Sequence, residues 1–73
     1  MAERAEELKK LVDITVDFGL SAKLRTKAID QIADIDTHDA LLALLNLAGN
    51  QMLDKGERQL ALKRAKGLIK SGP

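Results

Sequence analysis

Residues 40–48 are the segment that most constrains how this chain can fold. Leu and Ala occupy eight of the nine positions, and Asn46 is the exception. At about 100° per residue, Asp39, Asn46 and Asn50 share one narrow sector of a helix, while Leu side chains cover the rest. A helix that is apolar on most sides belongs in the interior of a structure. We therefore expect other helices to cover it on most sides.

Apolar residues at three- and four-residue steps predict two helices before this segment. The first is expected from about Ala2 to Phe18, and Gly19 would end it in the left-handed conformation. Ser21 is the expected N-cap of the second helix, because its hydroxyl can accept from free amides in the next turn.

The helix over the apolar segment should be capped by Asp36 or Thr37. A fourth helix should begin at Asp54-Lys-Gly-Glu57, which fits the capping-box pattern, and run to about Lys70. Gly72-Pro73 would follow as a frayed end. The residues expected to face inward on these elements are Leu8, Leu11, Val12, Thr15, Phe18, Leu24, Ala28, Ile29, Ile32, Ala33, Ile35, Met52, Leu53, Ala61, Leu62, Ala65, Leu68 and Ile69.

A shift of 33 residues superimposes the chain on itself. Ser21 falls on Asp54, an N-cap in both copies, and Arg25 falls on Arg58. The apolar matches are Leu8 with Leu41, Leu11 with Leu44, Val12 with Leu45, Ile14 with Leu47, Ala28 with Ala61, Ile29 with Leu62, Ile32 with Ala65 and Ile35 with Leu68. Two helix pairs could share apolar spacing by coincidence, but the shared cap and Arg argue against it. Such a period is typical of helical repeats, in which each pair buries its apolar face against the next.

The pattern resembles that of HEAT repeats. The segment that carries the resemblance is Leu24-Arg25-x-x-Ala28-Ile29-x-x-Ile32-x-x-Ile35-Asp36, followed by Ala40-Leu41-x-x-Leu44. The second copy, Glu57-Arg58-x-x-Ala61-Leu62, departs from it, because Glu57 replaces the aliphatic residue, and neither copy has the Pro common in the first helix. The resemblance implies a protein-binding scaffold without chemistry of its own.

We predict one all-α domain over residues 1–73, with repeat 1 at about 4–36 and repeat 2 at about 37–70. The four helices would form two tandem helix-hairpin repeats of HEAT-like type or a compact four-helix bundle, and both remain open. Two repeats are fewer than the three usually needed for stability. Either the first helix acts as a polar cap or a second chain covers an exposed end.

Composition narrows the possible functions. The chain has no Cys, which excludes disulfides, zinc thiolate sites and cysteine nucleophiles. One Phe without Trp or Tyr leaves few platforms for stacking nucleic-acid bases. No apolar run is long enough for a membrane span or a signal peptide, so a cytoplasmic protein is expected.

Charge is divided along the chain. Residues 28–54 hold five Asp and no Lys or Arg, whereas residues 55–73 hold six basic groups and one acid. Lys63, Lys66 and Lys70 share one edge of the fourth helix. The whole fourth helix, with Lys55, Arg58, Lys63, Arg64, Lys66 and Lys70, could contact nucleic-acid phosphates, simply be solvated, or pair with the Asp residues in the same chain or a second subunit. A helix-turn-helix reader is disfavoured, because the third helix offers Leu and Ala rather than basic side chains.

The cluster Asp34-x-Asp36-x-His38-Asp39 is the one place with metal-ligand chemistry. An EF-hand loop starting at Asp34 would need Gly at position 39 and Glu at position 45, where this chain has Asp and Leu. Helix capping explains these carboxylates more simply, and no nucleophile pairs with His38 by a familiar spacing. We expect no catalytic, cofactor or metal site.

The expected function is therefore non-enzymatic: a protein–protein interaction or scaffold module. Its partner would be another protein or a second copy of itself, and it would not associate with membranes. Nucleic-acid binding through the basic fourth helix is the alternative. The candidate contact residues are Leu41, Leu44, Leu45, Arg58, Lys63, Lys66 and Lys70.

Overall fold

The described residues form four α-helices: α1 (Ala2–Thr15), α2 (Ala22–Ile35), α3 (His38–Ala48) and α4 (Lys55–Ser71). The structure is a computed structural model that describes the backbone of residues 2–71 and the side chains of residues 6–70. The prediction of an all-α, four-helix protein is confirmed. The predicted frayed end at Gly72-Pro73 lies outside the described residues.

The connection between α1 and α2 differs from its prediction. Helix α1 ends at Thr15 rather than Phe18, and its last turns tighten as the Asp17 amide donates to the Ile14 carbonyl (3.2 Å). The Asp17 carboxylate then accepts from the Gly19 amide (3.0 Å), which is an Asx-turn. Because this side chain organises the turn, Gly19 has no need of a positive φ, and the prediction of a left-handed Gly19 is wrong.

The left-handed residue is instead Asp36, with φ 55° and ψ 47°, at the end of α2. Asp tolerates this conformation better than most residues, and its amide donates to the Ala33 carbonyl (3.1 Å). Thr37 follows at once as the N-cap of α3, and its hydroxyl accepts from the Ala40 amide (3.1 Å). Ser21 caps α2 in the same way through the Leu24 amide (3.3 Å). The predictions of Ser21 and Thr37 as caps are confirmed.

The helices pack as two hairpins, α1 with α2 and α3 with α4, which we call the first and second hairpin. Helix α2 also packs against both helices of the second hairpin, so it is the centre of the fold. The apolar core lies around it. The buried apolar side chains are Leu11, Ala28, Ile29, Ile32, Ala33, Ala40, Leu44, Leu47, Leu53, Ala61 and Ala65.

Several residues predicted to face inward are exposed instead. Leu24 is 49% exposed because Arg25, its neighbour, turns into the core. Leu62 and Ile69 on α4 are 40% and 60% exposed, because α4 packs against α2 and α3 on its other sides. The remaining corrections are Phe18 and Met52, both exposed, and Leu42 and Leu45, which leave α3 less covered than its composition predicts.

Candidate interaction surface

A buried ion pair joins the two hairpins. The Arg25 guanidinium donates from Nε to Glu57 Oε2 (2.8 Å) and from Nη2 to Glu57 Oε1 (3.3 Å). Its third nitrogen, Nη1, donates to the Leu20 carbonyl (2.9 Å), and the Phe18 ring lies 5.2 Å from the guanidinium carbon. Both charged side chains are at most one tenth exposed. A bidentate pair with its donors satisfied is the arrangement in which buried charges are tolerated.

Glu57 has a second task at the start of α4. Its Oε1 accepts from the Asp54 amide (3.3 Å), which is the returning half of the predicted capping box. The hydrogen bond from Arg25 lowers the pKa of Glu57, and burial opposes this while the Asp54 amide adds to it. The Glu57 carboxylate therefore stays ionised, and it connects the start of α4 to Arg25 of the first hairpin.

A second polar link crosses between α2 and α4 at the surface. Arg64 donates from Nη1 to Asp30 Oδ1 (3.1 Å) and from Nη2 to Asp34 Oδ1 (3.0 Å). These groups are one third to three quarters exposed, so solvent weakens the attraction. Asp54 lies 3.9 Å from Arg25, so three of the five Asp of the acidic segment face an Arg in the same chain.

The predicted contact residues divide into two groups. Leu44 is fully buried and therefore belongs to the core, where no partner can reach it. Leu41 is half-buried and Leu45 is 41% exposed, both on α3. On α4, Arg58 is half-buried, and Lys63, Lys66 and Lys70 are exposed without an ion pair among the described residues.

The side of α4 that turns away from α2 combines apolar and basic groups. Arg64 marks the side facing α2, and at about 100° per residue Leu62 and Ile69 lie roughly 140–160° around the helix from it. Arg58 and Lys66 share this sector or border it. We call the surface formed by Arg58, Leu62, Lys66 and Ile69, with Lys63, Gly67 and Lys70 at its edge, the open face.

A shallow depression of about 380 Å³ lies on the open face. It is lined by Gln59, Leu62, Lys63, Lys66, Gly67 and Lys70. A side chain at Gly67 would meet no atom within 4 Å, so the missing Cβ helps to make the depression.

Arg58 carries an unsatisfied group. Its Nε is buried and has no hydrogen-bond partner among the described residues. Buried side-chain donors without a partner are uncommon in native proteins and call for an explanation.

A second concave region lies between α1 and α3. This groove has a volume of about 390 Å³, and its apolar lining includes Leu8, Val12 and Leu47. Asp39, Asn46 and Asn50 share one of its walls, as their predicted common sector requires. The position of Asn46 at the groove agrees with its being exposed rather than packed inside the chain.

Two features of the described residues limit the chemistry that can be assigned. No group of three or more His, Cys, Asp or Glu side chains in this part of the chain is placed to hold a metal ion. None of its helices combines the length and hydropathy needed to cross a membrane.

The link between Arg25 and Glu57 was missed by sequence reasoning. The repeat pattern matches Arg25 with Arg58 and predicts a capping role for Glu57, but it does not predict that the Arg25 and Glu57 side chains meet. The available signal was Glu57 itself, a carboxylate where the repeat pattern has an aliphatic residue.

Comparisons with protein-family models, curated proteins and solved structures found no match for this chain.

Proposed function

We propose that this chain is a non-enzymatic protein-interaction module that binds another protein chain through the open face. The observation that carries the proposal is the exposure of Leu62 and Ile69 beside three Lys without ion pairs among the described residues. Exposed apolar side chains rimmed by charge are typical of protein interfaces. Its HEAT-like repeat character and a cytoplasmic site of action are part of the proposal.

The opposite end of the molecule supports the choice of surface. On the first hairpin, most of the residues that line the shallow regions at α1 and α2 are polar, including Glu6, Glu7, Lys10 and Gln31, and the others are Leu11 and Ile35. In stacked helical hairpins a polar outer face closes an end, whereas an apolar face must be covered. Apart from the exposed Phe18 and Leu24 near the α1–α2 turn, the first hairpin fits a closed end, and the open face fits an uncovered one.

A photo-crosslinking side chain placed at position 62 in the native host tests the proposal. Leu24 provides the matched control position, because it is similarly exposed (49% against 40% for Leu62) but lies on the first hairpin. We expect discrete crosslinked products from position 62, their loss when Ile69→Glu is added, and none of these products from position 24. Identical products from both positions, or none from position 62, would contradict the proposal.

Nucleic-acid binding is the second candidate, because Lys63, Lys66 and Lys70 are exposed along one edge of α4. Each phosphate contact would add about one unit to the salt dependence of binding. Fluorescence anisotropy with duplex DNA and single-stranded RNA tests it, with Lys63→Glu plus Lys66→Glu as the disrupting variant. Tight binding that weakens steeply with salt and is lost in this variant would favour the second candidate.

A further inference from the structure

In the 33-residue correspondence, Arg58 on α4 occupies the position that Arg25 occupies on α2. Arg25 on α2 reaches across to a carboxylate at the start of the next helix pair, Glu57. Arg58 stands at the same place on α4, and its Nε is buried without a partner among the described residues. The groups along the two helices also correspond. Ile29 is fully buried beneath the second hairpin, whereas its counterpart Leu62 is 40% exposed.

The charges around the two positions differ: one acidic position becomes basic and the other becomes uncharged. On α2, Asp30 and Asp34 receive the basic Arg64 of the second hairpin. Their counterparts on α4 are Lys63 and Gly67, at the edge of the open face. A partner that lies on α4 as α4 lies on α2 would therefore meet a cation where α4 itself met anions.

From these observations we infer that the open face binds an acidic amphipathic helix of another protein, and that Arg58 receives a carboxylate from its first turn. The apolar stripe of that helix covers Leu62 and Ile69, and a further acidic side chain on its edge faces Lys63. The inference rests on the proposed function and adds the chemistry of the partner to it.

A second copy of this chain fits less well. If its first hairpin continued the stack, the residue opposite Arg58 would be Leu24, the counterpart of Glu57, and Gln31 would stand in place of Arg64. Such head-to-tail stacking would place no carboxylate beside the accessible part of the Arg58 side chain. A carboxylate for Arg58 must therefore come from a helix whose first turn carries an acidic residue, which α2 does not.

The second hairpin provides a probe, because its own α4 begins with a carboxylate that serves Arg25, and Arg64→Glu in the added copy supplies the acid opposite Lys63. We would replace residues 69–73 by a copy of residues 36–73 that carries Arg64→Glu, which continues the 33-residue register and brings a copy of Glu57 to the open face. The contacts tested in this way are those of Arg58, Leu62 and Lys63. The readout is the Nε–H signals of the Arg side chains in nitrogen–proton correlation spectra. In the unextended chain the Arg25 Nε–H is the reference for a carboxylate-bound group.

We expect the extended chain to unfold in a single transition. The Arg58 Nε–H signal, identified by its loss in Arg58→Gln, should exchange more slowly than in the unextended chain, where it is buried but has no acceptor among the described residues. Glu57→Gln in the appended copy alone should lower the exchange protection of this signal about tenfold or more, since the charged acceptor is lost. Arg58→Gln in the appended copy is the matched control and should leave protection unchanged, because that side chain lies at the free end.

The possible failures are distinct. If the extension docks but appended Glu57→Gln has no effect on Arg58, the carboxylate inference is overturned while the open face remains an interaction surface. An appended hairpin that unfolds separately and exchanges freely overturns the helix-docking role of the face. Concentration-dependent dimerisation of the unextended chain that protects the Arg58 Nε–H would assign the face to a second copy and overturn the inference. Binding of duplex DNA or RNA that is lost on Arg58→Gln would overturn it as well.

Discussion

Helices α2 and α4 carry corresponding residues in different surroundings. On α2, Arg25 is paired with Glu57 and Ile29 is fully buried, because the second hairpin covers this side of the helix. On α4, Arg58 keeps an unpartnered Nε and Leu62 is exposed. Corresponding residues are therefore paired and buried on α2, whereas on α4 the Arg has a buried Nε without a partner among the described residues and the Leu is exposed. What differs is whether another hairpin lies beside them.

The largest expected contrast is between Ile29→Ala and Leu62→Ala. Removing the fully buried Ile29 side chain should lower the free energy of unfolding by about 3 kcal/mol, through lost burial and the cavity left behind. Removing the exposed Leu62 side chain should cost less than about 1 kcal/mol. Urea denaturation followed by circular dichroism measures both. Equal losses would mean that α4 is covered as fully as α2.

The next contrast is between Arg25→Gln and Arg58→Gln. Loss of Arg25 leaves the Glu57 carboxylate buried without its cation, and Tm should fall by roughly 10 °C. Arg58→Gln removes no hydrogen bond within the described residues and should change Tm by less than about 3 °C. Differential scanning calorimetry at one protein concentration gives both values. A large loss from Arg58→Gln would show that this side chain already has a structural role.

The fold itself could be predicted well from the sequence, because its signals are local. Helix periodicity and the caps Ser21 and Thr37 depend on residues three or four apart, so the sequence displays them directly. The prediction for Gly19 was wrong because the Asp17 carboxylate organises this turn by accepting from the Gly19 amide, so no left-handed glycine is required.

The site was less accessible to sequence reasoning, because it depends on which sides of the helices are covered. Leu62 and Ile69 have the spacing of core residues, and only the packing of α4 on α2 and α3 shows that they face outward. Conversely, Leu44 was chosen as a contact residue from an apolar run in which every Leu looked alike, and it is fully buried. The pairing of Arg25 with Glu57 spans 32 residues and has no local signature.

The link between the hairpins should also respond to acid. The pKa of Glu57 lies below its ordinary value of 4.5, chiefly through the hydrogen bond from Arg25. The stability it contributes is therefore fully present above about pH 4.5 and is lost as pH falls through the lower, folded-state pKa. We expect the free energy of unfolding to fall less between pH 5 and pH 2 in Glu57→Gln than in the wild type, by roughly 1 kcal/mol or less.

Glu7→Gln is the control for this titration. Glu7 is exposed on α1, so its substitution removes one carboxylate and leaves the Arg25–Glu57 ion pair unchanged. Urea denaturation at each pH gives the comparison. A pH dependence in Glu57→Gln identical to that of the wild type and of Glu7→Gln would contradict the assigned role of this carboxylate.

The smallest effect is expected at the surface link of Arg64. Arg64→Gln removes its contacts with Asp30 and Asp34, but these groups are partly exposed, so the loss should not exceed about 1 kcal/mol. It should shrink in about 1 M salt, where screening acts within roughly 3 Å. Lys63→Gln removes a neighbouring cation that makes no ion pair among the described residues, and is the matched control. Equal effects of the two variants at low salt would mean that the Arg64 contacts add nothing to stability. The ion pair of Arg25 with Glu57 would then be the polar contact that distinguishes the covered side of α2 from the open face of α4.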